Sequence, residues 1–235
     1  MWELPWDATE RWREWFRAML EREPVGDRYR AMPVRRASRE EAEAQGIRVR
    51  KASVLLTLFP APVPGGRWVW RAVLMERTPH EGVHGGQVSI PGGEMEERDG
   101  GDAQVTALRE FAEETGAAVD AHAVVGRLQP LYIAPSAFYV EAFVAVLSRE
   151  PAWAIDETEV AALLRPEVEN WLRPDALQPR PVHVRPGLRA PLPAYEVEGR
   201  TVWGATAIWL TEFADAWRTH GDDKPAGIVR EVEGG

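Results

Sequence analysis

Glu110, Glu113 and Glu114 stand at i, i+3 and i+4 within the segment Arg109-Glu110-Phe111-Ala112-Glu113-Glu114-Thr115-Gly116. On an α-helix, residues so spaced share one face. Leu108, Phe111 and Ala112 point elsewhere and can dock on a sheet. Three neighbouring carboxylates repel one another, so something must offset them. Arg109 reaches Glu113 at i+4, and a divalent cation can offset the rest. Several hard oxygen ligands suit Mg²⁺ or Mn²⁺, completed by water and substrate phosphates. Upstream, Pro91-Gly92-Gly93 makes a tight turn free of bulky side chains, so its backbone can approach a metal or a phosphate closely. Carboxylates, metal and glycine turn together suit attack of water on a diphosphate. The plain alternative is a solvated acidic face on a surface helix.

Composition narrows the other chemistries. The 235-residue chain has no cysteine, which excludes disulfides, thiolate nucleophiles and cysteine metal sites. Its net charge of −9 argues against a sequence-independent grip on nucleic acid, which needs a basic surface. A bound metal can still invert the local sign for a phosphate substrate. No run approaches the ~20 apolar residues of a membrane span. The N-terminal MWELPWDATERWREWF alternates aromatics with charges and lacks the pattern of an export signal, so a cytoplasmic location is expected. The 11 Trp are expected mainly in core packing, with a partner surface as the alternative.

The elements that would position the glutamates can be read from periodicity and breakers. Asp7-Ala8-Thr9-Glu10 has capping-box spacing, and Trp12, Phe16 and Leu20 follow on one face, predicting a helix over 9–23. A short helix is expected around Ser38 to Ala44, closed by Gly46. The apolar run from Ala52 to Phe59 predicts a buried strand, Pro60 to Gly66 a loop, and Trp68 to Glu76 a second strand in a hairpin with the first. Residues 78–93 read as a loop with a short strand at Gln87 to Ile90. Val105 to Thr115 predicts a helix ended by Gly116. Strands are expected at Val124 to Leu131 and Phe138 to Leu147, and short helical or loop segments at Glu157 to Leu164 and Glu167 to Leu172. Leu177 to Pro193 reads as an extended surface excursion, followed by a hairpin about Glu198-Gly199. Ala205 to Trp217 predicts a closing helix. The order is a mixed α/β pattern without regular βαβ alternation.

The carboxylate segment resembles the box of the Nudix hydrolase family, G-x5-E-x7-R-E-U-x-E-E-x-G-U with U a bulky aliphatic residue. Arg109 to Ala117 carry the second half, with Phe111 and Ala117 as looser matches at the U positions. The first half opens at Gly93. Asp99 stands six residues later where Glu is usual, and the loop from there to Arg109 is two residues longer than the pattern. Glu96, Glu97, Asp99 and Asp102 are all candidates to partner Arg109. His84-Gly85-Gly86-Gln87-Val88-Ser89-Ile90-Pro91-Gly92-Gly93 is similar to the H-x-G-Q-[IV]-S-F-P-G-G segment of Nudix proteins related to coenzyme A pyrophosphatases. Leu131-Tyr132-Ile133-Ala134-Pro135-Ser136 resembles that group's later loop. Where the group carries Leu-Arg before the His, this chain has Glu81 and Gly82. The resemblance covers about residues 50–165, and more faintly Trp203-Gly204-Ala205-Thr206.

The resemblance implies an α/β fold: an α/β/α sandwich with a mixed β-sheet between helices, plus an N-terminal helix. The expected organisation is an N-terminal helical extension over 1–50, the hydrolase domain over 51–220, and a disordered tail over 221–235. It implies Mg²⁺ or Mn²⁺ held by Glu110, Glu113 and Glu114 with the backbone of Gly93, and Arg109 orienting the glutamates. The general base is expected from Asp156, Glu157 or Glu159, with Glu157 chosen and Glu114 an alternative. His84, Gln87, Ser89 and Tyr132 are expected to meet the substrate. His80 flanks the same loop, Phe138 and Tyr139 are further stacking candidates, and Arg180, Arg185 and Arg189 are either solvated or phosphate-facing. The implied partner is a small nucleotide-type molecule, best coenzyme A or a derivative. The alternatives are a nucleotide sugar, a dinucleoside polyphosphate or an oxidised nucleotide. A ligand-binding module without turnover is a third reading. No nucleic acid and no membrane are expected as partners, and a homodimer is the assembly the analogy allows.

Overall fold

Apolar periodicity in the chain resolves into helices and strands that bury two faces of one mixed sheet. The computed structural model describes residues 3–22, 26–32, 37–79, 85–185 and 187–225. Helix α1 (Trp6–Glu21) buries Ala8, Trp12, Trp15, Phe16 and Met19. It begins three residues earlier than its capping-box spacing suggests: Pro5 precedes it, no side chain caps it, and Asp7 lies inside the first turn. Proline presets the backbone angle a helix needs and has no N–H to leave unpaired. The real capping box belongs to α2 (Arg39–Ala44). There Glu41 N donates to Ser38 Oγ and Ser38 N donates to the Glu41 carboxylate.

Strand β1 (Arg50–Val63) runs through the expected loop at Pro60. It pairs with β2 (Arg67–Ala72) as an antiparallel hairpin, and the turn begins only at residue 64. Pro60 and Pro62 are tolerated because β1 beyond Leu58 has a strand neighbour on one side only. The expected strand from Trp68 to Glu76 is two strands. The chain leaves the sheet at Val73, whose N–H still donates to Thr57 O, and β3 (Leu74–Arg77) joins another sheet. Next come β4 (Val88–Ser89), β5 (Gly92–Glu94), α3 (Ala103–Thr115), β6 (Val124–Ile133) and β7 (Phe138–Val146). Glu157 to Leu164 was expected as helix or loop. Its second part is a strand, β8 (Val160–Leu164), because pairing with β3 and burial of Val160 and Leu164 override weak local propensity. Short α4 (Glu169–Leu172) follows. The expected surface excursion is a hairpin of β9 (Gln178–Arg185) and β10 (Leu188–Val197). Strand β11 (Arg200–Val202) turns back at Glu198-Gly199 as expected. Helix α5 (Gly204–His220) closes the fold. Of the expected tail, Gly221–Asp223 form a 3₁₀ turn, and residues 226–235 lie outside the described residues.

The main sheet has the order β2-β1-β7-β6, with β5 beside β1. β1 and β7 are parallel and the other pairs antiparallel, so the sheet is mixed. Smaller sheets are β4-β3-β8 and β11-β10-β9. One face of the main sheet packs Leu55, Phe59 and Phe143 against Ala107 and Phe111 of α3. The other packs Leu56, Leu58, Val140 and Val144 against α1 and α5. This is the α/β/α sandwich. Trp12, Trp15, Phe16, Trp70, Phe213 and Trp217 contact one another on the second face, mostly edge-on or tilted, with Phe16 and Phe213 stacked, which accounts for much of the tryptophan content by core packing. No described helix is long and apolar enough to cross a membrane.

Candidate active site

Helix α3 is fixed at both ends. Asp102 accepts from Gln104 N and Val105 N at its start. Gly116 closes it in the left-handed conformation, and a Cβ there would lie 2.3 Å from Ala154 O. Ala107 and Phe111 anchor the inner face. Register then forces Glu110 and Glu114 toward the Gly92-Gly93 turn, which β5 holds against β1.

The three glutamates are not equivalent. Glu114 is buried; its Oε2 accepts the Gly92 N–H at 2.7 Å, while Oε1 accepts no hydrogen bond. Arg77 Nη2 lies 3.4 Å from that oxygen. Burial pushes the Glu114 carboxyl up to about 8, against the lowering effects of Arg77 and the Gly92 N–H. Glu110 is mostly buried over Gly93, where a Cβ would sit 2.4 Å from its Oε2. Burial raises its carboxyl too, against the Arg109 hydrogen bond. Glu113 is half exposed and is held by Arg98 at 3.0 Å and Arg109 at 2.9 Å.

Arg109 is the hub. It grips Asp99 through two parallel bonds of 2.7 and 2.8 Å and donates to Glu94 O, Glu110 and Glu113. Among the acidic candidates in the loop, Asp99 is therefore its partner. Glu96 stays 3.9 Å away, Asp102 caps α3, and Glu97 is exposed. Asp99 also accepts from Thr106 Oγ1 and Glu96 N. The Arg109 hydrogen bonds hold its carboxyl well below the usual range. Sequence reading missed Thr106, Arg98 and Arg77. Thr106 had a usable signal, a hydroxyl one turn before Arg109 on the same helix.

Segment 154–159 is tied to the end of α3 by Ala154 N to Thr115 O and Asp156 N to Glu114 O. Asp156 accepts from Thr158, and Glu157 is exposed in the turn. Glu159 contributes charge at both Glu110 and Glu114. Gln87 accepts at its carbonyl from Arg77 N. Ser89 lies in β4 with its Oγ buried and without a partner. Tyr132 is buried in β6 opposite Tyr139. Phe138 lies under the Arg50 guanidinium at 3.9 Å. Arg180 pairs with Glu196, and Arg189 donates to His183. His80, Glu81, Gly82 and His84 lie outside the described residues.

Among the described residues no three His, Asp or Glu side chains already converge as metal ligands; Glu113 is held by Arg98 and Arg109. Two carboxylates and a side-chain-free turn do converge. A buried, unpartnered Oε1 and a cradle that a Cβ would fill fit a hard divalent cation that keeps waters and takes substrate oxygens.

Residues 64–192 match the family model of the NUDIX domain, a span that contains the glycine turn and all of α3. The uncharacterized Nudix hydrolase NudL of Salmonella paratyphi B is 32% identical over 166 residues, covering 70% of this chain and 81% of the relative. Among solved structures, a MutT/nudix family protein from Enterococcus faecalis superposes with a TM-score of 0.49 at 13% identity, covering 83% of this chain and 72% of that one. The NUDIX domain of Shewanella oneidensis NrtR, solved with ADP ribose, gives 0.42 at 16% identity, covering 58% and 87%.

Proposed function

The chain belongs to the Nudix hydrolase family and is a Nudix pyrophosphohydrolase, and from that premise we propose that it cleaves the diphosphate of a nucleoside-diphosphate-linked small molecule, best coenzyme A or a derivative. The observation that carries the reading is the closing of Glu110 and Glu114 over the Gly92-Gly93 turn, with both carboxyls raised by burial. Burying two like charges is costly unless a cation offsets them. Glu110 and Glu114, with Glu113 and the Gly93 carbonyl, would hold Mg²⁺ or Mn²⁺. When bound, the metal would activate the attacking water and neutralise charge on the departing phosphate. Arg109 holds Glu110 and Glu113 in place, and Asp99 in turn holds Arg109.

Glu157 and Glu159 are the proposed general bases, and the charge that Glu159 places on both box glutamates favours Glu159. The unpartnered Ser89 hydroxyl supports a substrate contact on β4 beside Gln87. His84 would meet phosphate just upstream. Burial of Tyr132 favours bracing of β6 and β7 over stacking on a base. The resemblance of residues 84–93 supports a coenzyme A-type substrate. Glu81 and Gly82, standing where that group carries Leu-Arg, favour a second reading with the same chemistry on a nucleotide sugar, a dinucleoside polyphosphate or an oxidised nucleoside triphosphate.

The test is hydrolysis of a panel of these compounds with Mg²⁺ or Mn²⁺, following release of two phosphorylated fragments. Metal-dependent cleavage of coenzyme A ahead of the others is expected. Cleavage that persists in chelator, or near-full turnover in Glu114→Gln, would overturn the proposed site.

A further inference from the structure

Two of the three arginines facing the box carboxylates are held in opposite ways. Arg109 is locked, with hydrogen bonds from three nitrogens to five acceptor atoms. Arg77 makes one ion pair among the described residues, 3.4 Å from Glu114 Oε1. That distance is too long for a normal hydrogen bond here, and Oε1 has no hydrogen-bond donor. The Arg77 side chain as a whole is a quarter exposed, against 2% for Glu114, so it borders solvent.

Its backbone, by contrast, is pinned. Arg77 ends β3 just after an irregularity in the pairing with β8. Its N–H donates to Gln87 O at 3.0 Å. The next residue, Thr78, donates through N to Glu159 O and through Oγ1 to Thr158 O. A fixed Cα with a loosely held cationic head suits a side chain that changes partners.

We infer that Arg77 is an exchangeable counter-ion: it neutralises Glu114 in the metal-free protein, yields Oε1 to a divalent cation, and turns its guanidinium to the diphosphate of the substrate. Glu114 Oε2 is committed to Gly92, so Oε1 is the oxygen left for either cation. A guanidinium and a hard metal ion cannot share it at contact distance, and a divalent ion at about 2.1 Å is the stronger partner. Leaving Arg77 inside beside that ion would place like charges together. Outside, a guanidinium matches phosphate oxygens in a planar fork.

The inference rests on the metal-dependent reading of the site, and the experiment separates the two. Mn²⁺ is titrated into the intact chain without substrate, with free Mn²⁺ read by electron paramagnetic resonance, for wild type, Arg77→Gln and Arg77→Lys. Binding of a methylene-bridged nucleoside diphosphate is then measured with Mn²⁺ present. Arg77→Gln is expected to bind Mn²⁺ roughly five- to tenfold more tightly and the diphosphate more weakly. Arg77→Lys keeps the charge, so its Mn²⁺ affinity should stay near wild type while its diphosphate affinity falls part of the way. A residue that only supports the fold would weaken both. If wild type binds Mn²⁺ and Arg77→Gln gains nothing, the exchange is wrong and the metal site stands. If wild type binds no Mn²⁺, both fail.

Discussion

Asp99 and Glu114 are both almost fully buried, at 3% and 2% exposure, yet their acidities move in opposite directions. Asp99 has both oxygens saturated by Arg109, with Thr106 Oγ1 and Glu96 N added, and its carboxyl is held far below the usual range. Glu114 has one hydrogen bond and one loose ion pair, and its carboxyl is pushed up to about 8. Both side chains are shielded from solvent, but burial is the largest influence on Glu114, whereas at Asp99 the Arg109 hydrogen bonds outweigh it. A saturated buried carboxylate acts as scaffold. An under-supplied one is a candidate functional group, since strongly shifted carboxyls with few donors cluster at functional sites. The far side of the fold has a second scaffold of the Asp99 kind. Glu212 accepts from Arg28 and Gln129 N and so pins the irregular stretch of β6.

The sharpest way to break this contrast is to neutralise each acid in turn. Glu114→Gln should reduce kcat by about two to three orders of magnitude. Its melting temperature should hold or rise, since a buried carboxyl with one hydrogen bond and one loose ion pair gives way to a neutral amide of the same shape. Steady-state kinetics and thermal unfolding on one preparation check both halves, and a large drop in melting temperature would place Glu114 with the scaffold. Asp99→Asn should do the reverse, costing on the order of 3 kcal/mol in denaturant unfolding because Arg109 loses a buried partner, with activity falling about 10–100-fold through misplaced glutamates. Gly93→Ala inserts a Cβ 2.4 Å from the Glu110 carboxylate, which must move. A loss of about 1–3 kcal/mol is expected, together with weaker Mn²⁺ binding in a direct titration.

The smallest effect is a pH slope. Glu114 has a folded pKa above its unfolded one, so its contribution to stability is complete below about 4.5 and is lost as pH rises through about 8. Metal-free protein should therefore weaken across that window, Glu114→Gln should flatten the slope, and Mg²⁺ should stabilise most at the alkaline end, where the carboxylate is ionised. Asp99 works the other way: its contribution is present above about 3.8 and disappears only well below that. Melting curves from pH 4 to about 9, with and without Mg²⁺, read the Glu114 slope; the Asp99 slope needs the same curves carried below pH 3.8.

Much of this was legible in the chain because it depends on neighbours in sequence. Spacing alone puts Glu110, Glu113 and Glu114 on one helix, Gly116 at its end, a side-chain-free turn before it, and buried strands at Ala52 and Phe138. Capping and periodicity act over a few residues, and the structure repeats them. Ends and breaks were harder. Pro5 outcompetes Asp7 for the start of α1, β1 runs past Pro60 because one edge is free, and Val160 to Leu164 becomes a strand only because β3 lies beside it.

Local pattern, then, determined that Arg109, Glu110, Glu113 and Glu114 share one helix behind a side-chain-free glycine turn, for those choices follow from helical period and backbone freedom. Tertiary structure decided what each of them does. It selected Asp99 among four acids as the partner of Arg109, paired Glu113 with Arg98, and brought Arg77 from β3 to the empty oxygen of Glu114. Those contacts join residues 10 to 37 positions apart, and no short-range rule encodes how much water or how many donors a carboxylate will find once the sheet and helix close over it.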